Sequence, residues 1–167
     1  MRVFNFLIIV FISVSNTLAH ASSNFSGEVT KIIDGDTIYV TNKTDNLRKK
    51  IRLVAIDAPE IDQPYGIESK LALEVYLLNK NVSIFNYGTD KYGRILGKVV
   101  FDNKDINSLM IKHGHAWLYK KYKNSLNRHD QDYYLELENN ARNDKLGIYA
   151  SPGFIEPWLW RSKKRIN

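Results

Sequence analysis

Asp34-Gly35-Asp36 stands between two runs rich in apolar and β-branched residues, 28–33 and 37–40. Asp-Gly in that setting predicts a tight turn joining two antiparallel strands. Three further segments have strand composition: 51–56, 82–87 and 94–101. Helical spacing falls between and after them. Leu71, Val75 and Leu78 recur at that spacing within 68–79 and are expected to face the core. Ile106, Leu109, Met110 and His113 make a second helical face, with Asp105 placed to cap it and Gly114 to end it. Tyr134, Leu137 and Ala141 mark a third helix over 129–145, with Gly147 after its end. Five short strands, one helix after the third and two after the fifth predict an α+β, mainly β fold. That fold is a five-stranded OB-fold barrel with three helices packed outside it.

The first 21 residues read as an export signal that is cleaved. Arg2 supplies the positive start, residues 3–14 are mostly apolar, and Ala19-His20-Ala21 has the small-residue pattern of a cleavage site. The apolar run is shorter than the ~20 residues of a membrane span, so no membrane anchor is expected after cleavage. Residues 22–167 contain no repeat or linker and are expected to form a single domain, secreted or periplasmic, acting as a monomer. The chain has no cysteine, which excludes disulfides, thiolate catalysis and cysteine-bound metals. Its net charge of +6 favours polyanionic partners, either nucleic acid or an anionic surface.

Three carboxylates come from two predicted loops: Asp36, then Asp57 and Glu60. Oxygen ligands suit a hard cation such as calcium or magnesium. Arg52 sits inside an apolar strand, where a buried cation must be paired or bind an anion. Arg94 opens the fifth strand within Asp90-Lys91-Tyr92-Gly93-Arg94, where Lys91 and Tyr92 can hold a terminal phosphate. Each segment alone is compatible with an ordinary turn or structural ion pair. Together they supply what phosphodiester hydrolysis needs: acids for a metal and a water, and guanidiniums for growing phosphate charge.

Residues 33–37 (IDGDT), 52–60 (RLVAIDAPE) and 90–94 (DKYGR), in that order, resemble the thermonuclease, or staphylococcal-nuclease-like, family. The resemblance spans roughly 27–150. It implies a calcium-dependent endonuclease that cuts DNA and RNA with little sequence specificity and leaves 3′-phosphate ends. By the same resemblance Asp36 and Asp57 hold calcium, Glu60 acts on the attacking water, and Arg52 and Arg94 act on the phosphate. Lys91 and Tyr92 would contact a terminal phosphate, and Tyr122 the sugar or base. Ala58 stands where better-known members carry threonine, a position that offers the metal a backbone carbonyl, which alanine also has. Lys120 replaces an aromatic expected two residues before Tyr122, which suggests a more electrostatic contact with substrate. The Pro157-Trp158-Leu159-Trp160-Arg161 segment resembles the tail of bacterial members and is expected to pack on the domain without taking part in catalysis.

The competing reading is a non-catalytic OB-fold that binds nucleic acid through its basic and aromatic surface. It does not require the acids and arginines, all five of which are present. His113, His115 and His129 lack the accompanying pattern of a zinc site.

Overall fold

A computed structural model describes residues 23–119 and 125–165. The export signal therefore lies outside the described residues, as do Lys120 and Tyr122. Among the described residues no helix is long and apolar enough to cross a membrane.

The predicted hairpin forms as β1 (Phe25–Asp34) and β2 (Thr37–Asn42), paired antiparallel through the 34–37 turn. Gly35 is required there by crowding, because a side chain at that position would collide with Ser69 and Ala58. β2 pairs with β3 (Arg48–Leu53), and β1 with β5 (Asn81–Thr89). β5 pairs with β6 (Ile95–Phe101). A parallel pairing of β3 with β6, Ile51 opposite Ile95 through Leu53 opposite Gly97, closes these five strands into a barrel. Val29, Ile38, Val40, Ile51, Leu53, Val82, Ile84 and Val99 are buried, alternating along their strands as barrel-interior positions must.

The expected strand 51–56 breaks in two. β3 stops at Leu53, Ala55 adopts a left-handed φ of 63°, and Ile56–Asp57 forms a separate short strand, β4. β7 (Lys104–Asp105) pairs with β6, and β4 pairs with β8 (Trp117–Leu118). Apart from Arg52 the run is apolar because it is buried on both sides, so no alternation marks the break. The break takes Asp57 out of the barrel sheet and into the two-stranded pairing, opposite Trp117.

Buried Asn107 secures this corner. Its side chain donates to the carbonyls of Val54 (3.0 Å) and Gly97 (3.1 Å) and accepts from the Val99 N–H (3.0 Å). An apolar residue there would strand the Val54 carbonyl and the Val99 N–H, each costing about 1–3 kcal/mol, whereas the Gly97 carbonyl keeps the Val54 N–H at 2.9 Å.

Helix α1 (Gly66–Leu77) forms where expected but turns the other way. Ser69, Leu73 and Leu77 are buried, whereas Leu71 and Val75 are 52% and 79% exposed. Helix α2 (Ile106–Lys112) starts at the predicted cap, with the Asp105 side chain accepting from the Ser108 N–H. Helix α3 (Arg128–Asn143) buries Tyr134, Leu137 and Ala141 as expected. Tyr134 donates to Asp105 at 2.6 Å, and Lys98 pairs with Asp130 at 2.7 Å, tying α3 to the α2 cap and to β6. A fourth helix, α4 (Pro157–Lys164), is made by the segment expected to be a tail.

Candidate active site

The β1–β2 turn, the 57–60 loop after β4 and the β5–β6 turn meet at one end of the barrel. They line a cleft of about 750 Å³ whose other wall is Tyr119 and α4. Asp34, Asp36, Arg52, Asp57, Ala58, Glu60, Lys91, Tyr92 and Arg94 all line it. Residues as far apart in sequence as Asp57 and Arg161, 104 positions, thus share one concavity.

Arg52, 9% exposed, lies at the base. One guanidinium nitrogen, Nη2, is 2.8 Å from Asp57 Oδ1 and 3.0 Å from Asp36 Oδ2, while Nη1 donates to the Leu53 carbonyl at 3.0 Å. Burial works against its charge, but Asp36, Asp57 and Asp34 together raise its pKa above the ordinary arginine value. The buried cation that the sequence demanded is therefore paired, as burial requires.

Asp36 is held by two further bonds. Oδ2 accepts from the Ala58 N–H at 2.7 Å, and Oδ1 from the Thr37 hydroxyl at 2.9 Å. The Ala58 bond ties the 57–60 loop directly to the β1–β2 turn. Burial pushes the Asp57 carboxyl up, against the opposing pull of Arg161 and Arg52. Burial and the neighbouring Asp36 push the Asp34 carboxyl up to about 7. In both, loss of hydration of the charged form is the largest cause.

Arg94 stands at the opposite rim. Its Nε and Nη2 lie 2.8 and 2.7 Å from Asp90 Oδ2, and its backbone N–H bonds Asp90 Oδ1 at 3.0 Å. Gly93, at φ 77°, makes the turn that brings the Arg94 backbone and side chain onto one carboxylate. Tyr92 is exposed, with Lys91 Nζ 5.0 Å from its ring centroid and the Arg94 guanidinium 5.5 Å away. These groups present a cationic, aromatic rim to the cleft.

Sequence reasoning missed Arg161. From α4, its Nη1 donates to Glu60 Oε1 at 2.7 Å and to Asp57 Oδ1 at 3.2 Å, and its Nη2 to Asp57 Oδ2 at 2.7 Å. Burial opposes its charge, but the bonds to Asp57 and Glu60 raise its pKa above the ordinary value. The tail expected to stay out of the chemistry thus puts a guanidinium between two of the predicted site acids. The only signal in the chain was one more arginine in a basic C-terminal segment, which by itself indicates a solvated helix.

Among the described residues, no three His, Cys, Asp or Glu side chains are arranged to hold a metal ion as they stand. The chemistry of the donors nevertheless fits a hard cation. Of the five carboxylates that line the cleft, Asp90 is paired with Arg94, and Asp34, Asp36, Asp57 and Glu60 offer oxygen donors only.

Residues 50–151 match the family described as staphylococcal nuclease homologue. The chain is 40% identical over 139 residues to an uncharacterized endonuclease of Haemophilus influenzae, covering 83% of this chain and 74% of that protein. It is 37% identical to an uncharacterized endonuclease of Escherichia coli, over 85% of this chain and 88% of that one. With a micrococcal nuclease of Shigella flexneri it shares 35% identity, over 88% and 87% of the two chains.

Proposed function

The chain belongs to the staphylococcal nuclease family and is a nuclease, and on that premise we propose that it is an exported, calcium-dependent endonuclease acting on both DNA and RNA. The reading rests above all on buried Arg52, whose guanidinium joins Asp36 and Asp57 in the cleft shared by Glu60 and Arg94.

Asp36 and Asp57 would hold calcium, with the Ala58 carbonyl as a further oxygen ligand. Bound there, the cation would polarise the scissile phosphate. Glu60 takes a proton from water as the water oxygen attacks phosphorus. The bond from phosphorus to the 5′ oxygen then breaks, leaving a 3′-phosphate on one product and, once that oxygen takes a proton from solvent, a 5′-hydroxyl on the other. Arg52 from the base and Arg94 from the rim donate to phosphate oxygens whose charge grows during attack. Two-pronged guanidiniums suit that role better than ammonium groups. Lys91 and Tyr92 contact a terminal phosphate, Tyr122 the sugar or base, and Lys120 makes an electrostatic contact with the strand. The basic rim tracks the backbone without reading sequence.

Export is checked by the mature terminus. Protein from the producing cell is expected to begin near Ser22 by mass spectrometry, and an intact Met1 overturns that part.

Purified mature protein is expected to cleave both plasmid DNA and single-stranded RNA. A calcium chelator should abolish cleavage, calcium should restore it, and zinc should not. End-group analysis should find 3′-phosphates. Cleavage that persists at full rate in the chelator removes calcium from the reading. Binding of nucleic acid without any cleavage would establish the non-catalytic alternative.

A further inference from the structure

Helix α4 lies across the outside of the cleft rather than in the core, and of its residues only Pro157 is buried. Contacts at the rim hold it. The Trp158 ring stacks on Tyr119 with centroids 5.5 Å apart and planes at 22°. Trp160 Nε1 donates to Asp62 at 3.3 Å, and Lys164 pairs with the same carboxylate. Gln63 links the helix approach to the acid loop, accepting from the Glu60 N–H at 3.1 Å and donating to the Ile155 carbonyl at 2.5 Å. The helix is therefore fastened directly to the 57–63 segment.

Arg161 projects from this perch onto both acids. Its fork leaves neither oxygen of Asp57 free: Oδ2 is bonded by Arg161, and Oδ1 by Arg161 and Arg52 together. The Asp57 side chain is 1% exposed and that of Arg161 36%, so the guanidinium lies on the solvent side of the carboxylate. A cation approaching Asp57 from the cleft meets Arg161 first.

We propose that Arg161 is a resident counter-cation that gates the metal site: it holds Asp57 and Glu60 against one another, and a divalent ion takes its place only by displacing it. The inference rests on the reading of Asp57 as a metal ligand. A guanidinium and a divalent ion cannot both sit on one buried carboxylate oxygen without strong repulsion. The site therefore binds calcium more weakly than its acids alone would. Arg161 also keeps two nearby carboxylates compensated before metal arrives, which is why a cation is carried there at all. Displacement frees a guanidinium at the cleft rim, where a phosphate backbone offers it a new acceptor. Loading of metal and of nucleic acid are then favourably coupled.

The test is calcium titration by calorimetry on the mature chain without nucleic acid, using variants checked for folding by circular dichroism. Arg161→Gln is expected to bind calcium about tenfold tighter than wild type, or more, since losing even one charge-assisted bond is worth about that factor. Arg161→Lys keeps the charge but cannot bridge both acids, and should fall between the two. Arg165→Gln removes a neighbouring charge from the same cleft, and should change affinity less than about twofold, as no bond to the acids is lost. Asp57→Asn should abolish binding. An Arg161→Gln affinity equal to or weaker than wild type, with Asp57→Asn still abolishing binding, overturns the gate and leaves the metal assignment standing. An equal shift in Arg165→Gln also overturns it, by reducing the effect to net charge. No binding in wild type or in Arg161→Gln overturns the metal assignment and the gate with it. If Arg161→Gln does not fold, Arg161→Lys decides: tighter binding than wild type supports the gate, and unchanged affinity overturns it.

Discussion

Arg52→Lys is expected to lower turnover by about 10²-fold or more while weakening substrate binding far less. Losing one preorganised donor to a developing oxyanion typically costs 10²–10³ in rate. A loss confined to the transition state appears in the turnover rate rather than the Michaelis constant. The geometry makes the substitution especially damaging. Arg52 Nη2 already spans Asp36 and Asp57 while Nη1 reaches the Leu53 carbonyl. An ammonium on a flexible stem cannot keep those contacts and still present a planar fork to phosphate. Arg52→Ala is a poorer probe, because it leaves Asp36 and Asp57 buried and facing one another. Breaking such a pair costs about 3–5 kcal/mol in stability. Arg94→Lys should share the kinetic signature without the structural penalty, since Arg94 lies in a surface turn paired to Asp90. Steady-state kinetics on folded variants decides the matter. Near-normal turnover in both lysine variants, with a raised Michaelis constant and a softened salt dependence, would make the arginines phosphate anchors only.

Glu60→Gln is expected to cost about 10²–10⁴ in turnover, the usual worth of a positioned general base. Calcium affinity should change little by comparison, because the proposed ligands Asp36 and Asp57 remain. The amide keeps the shape of the carboxylate, and its oxygen can still accept the Arg161 bond, so the fold should survive. Rate measurements at saturating calcium and substrate, beside calorimetry of calcium binding, separate the two effects. A variant with normal turnover would remove Glu60 from the chemistry. One whose activity returns fully at high calcium would make Glu60 a metal ligand instead of a base.

Local chemistry carried much of this protein. Asp34-Gly35 between apolar runs was sufficient for the β1–β2 hairpin, Asp105 for the start of α2, and the spacing of Tyr134, Leu137 and Ala141 for the buried side of α3. The three motifs that carry Asp36, Arg52, Asp57, Glu60 and Arg94 were likewise legible, because each is short and chemically distinctive.

Three features needed the folded chain. Helix α1 carries apolar residues on two sides, Leu71 and Val75 on one and Leu73 and Leu77 on the other, and periodicity cannot say which side meets the barrel. The break at Ala55 lies within an apolar run buried on both sides, so nothing in the pattern marks where the wall ends and the site loop begins. Arg161 is 104 positions from Asp57, and only the docking of α4 across the cleft brings it there. A salt bridge is a fact of separation and burial. Residue type specified that Arg161 would be charged, and tertiary structure alone decided which charge it would meet.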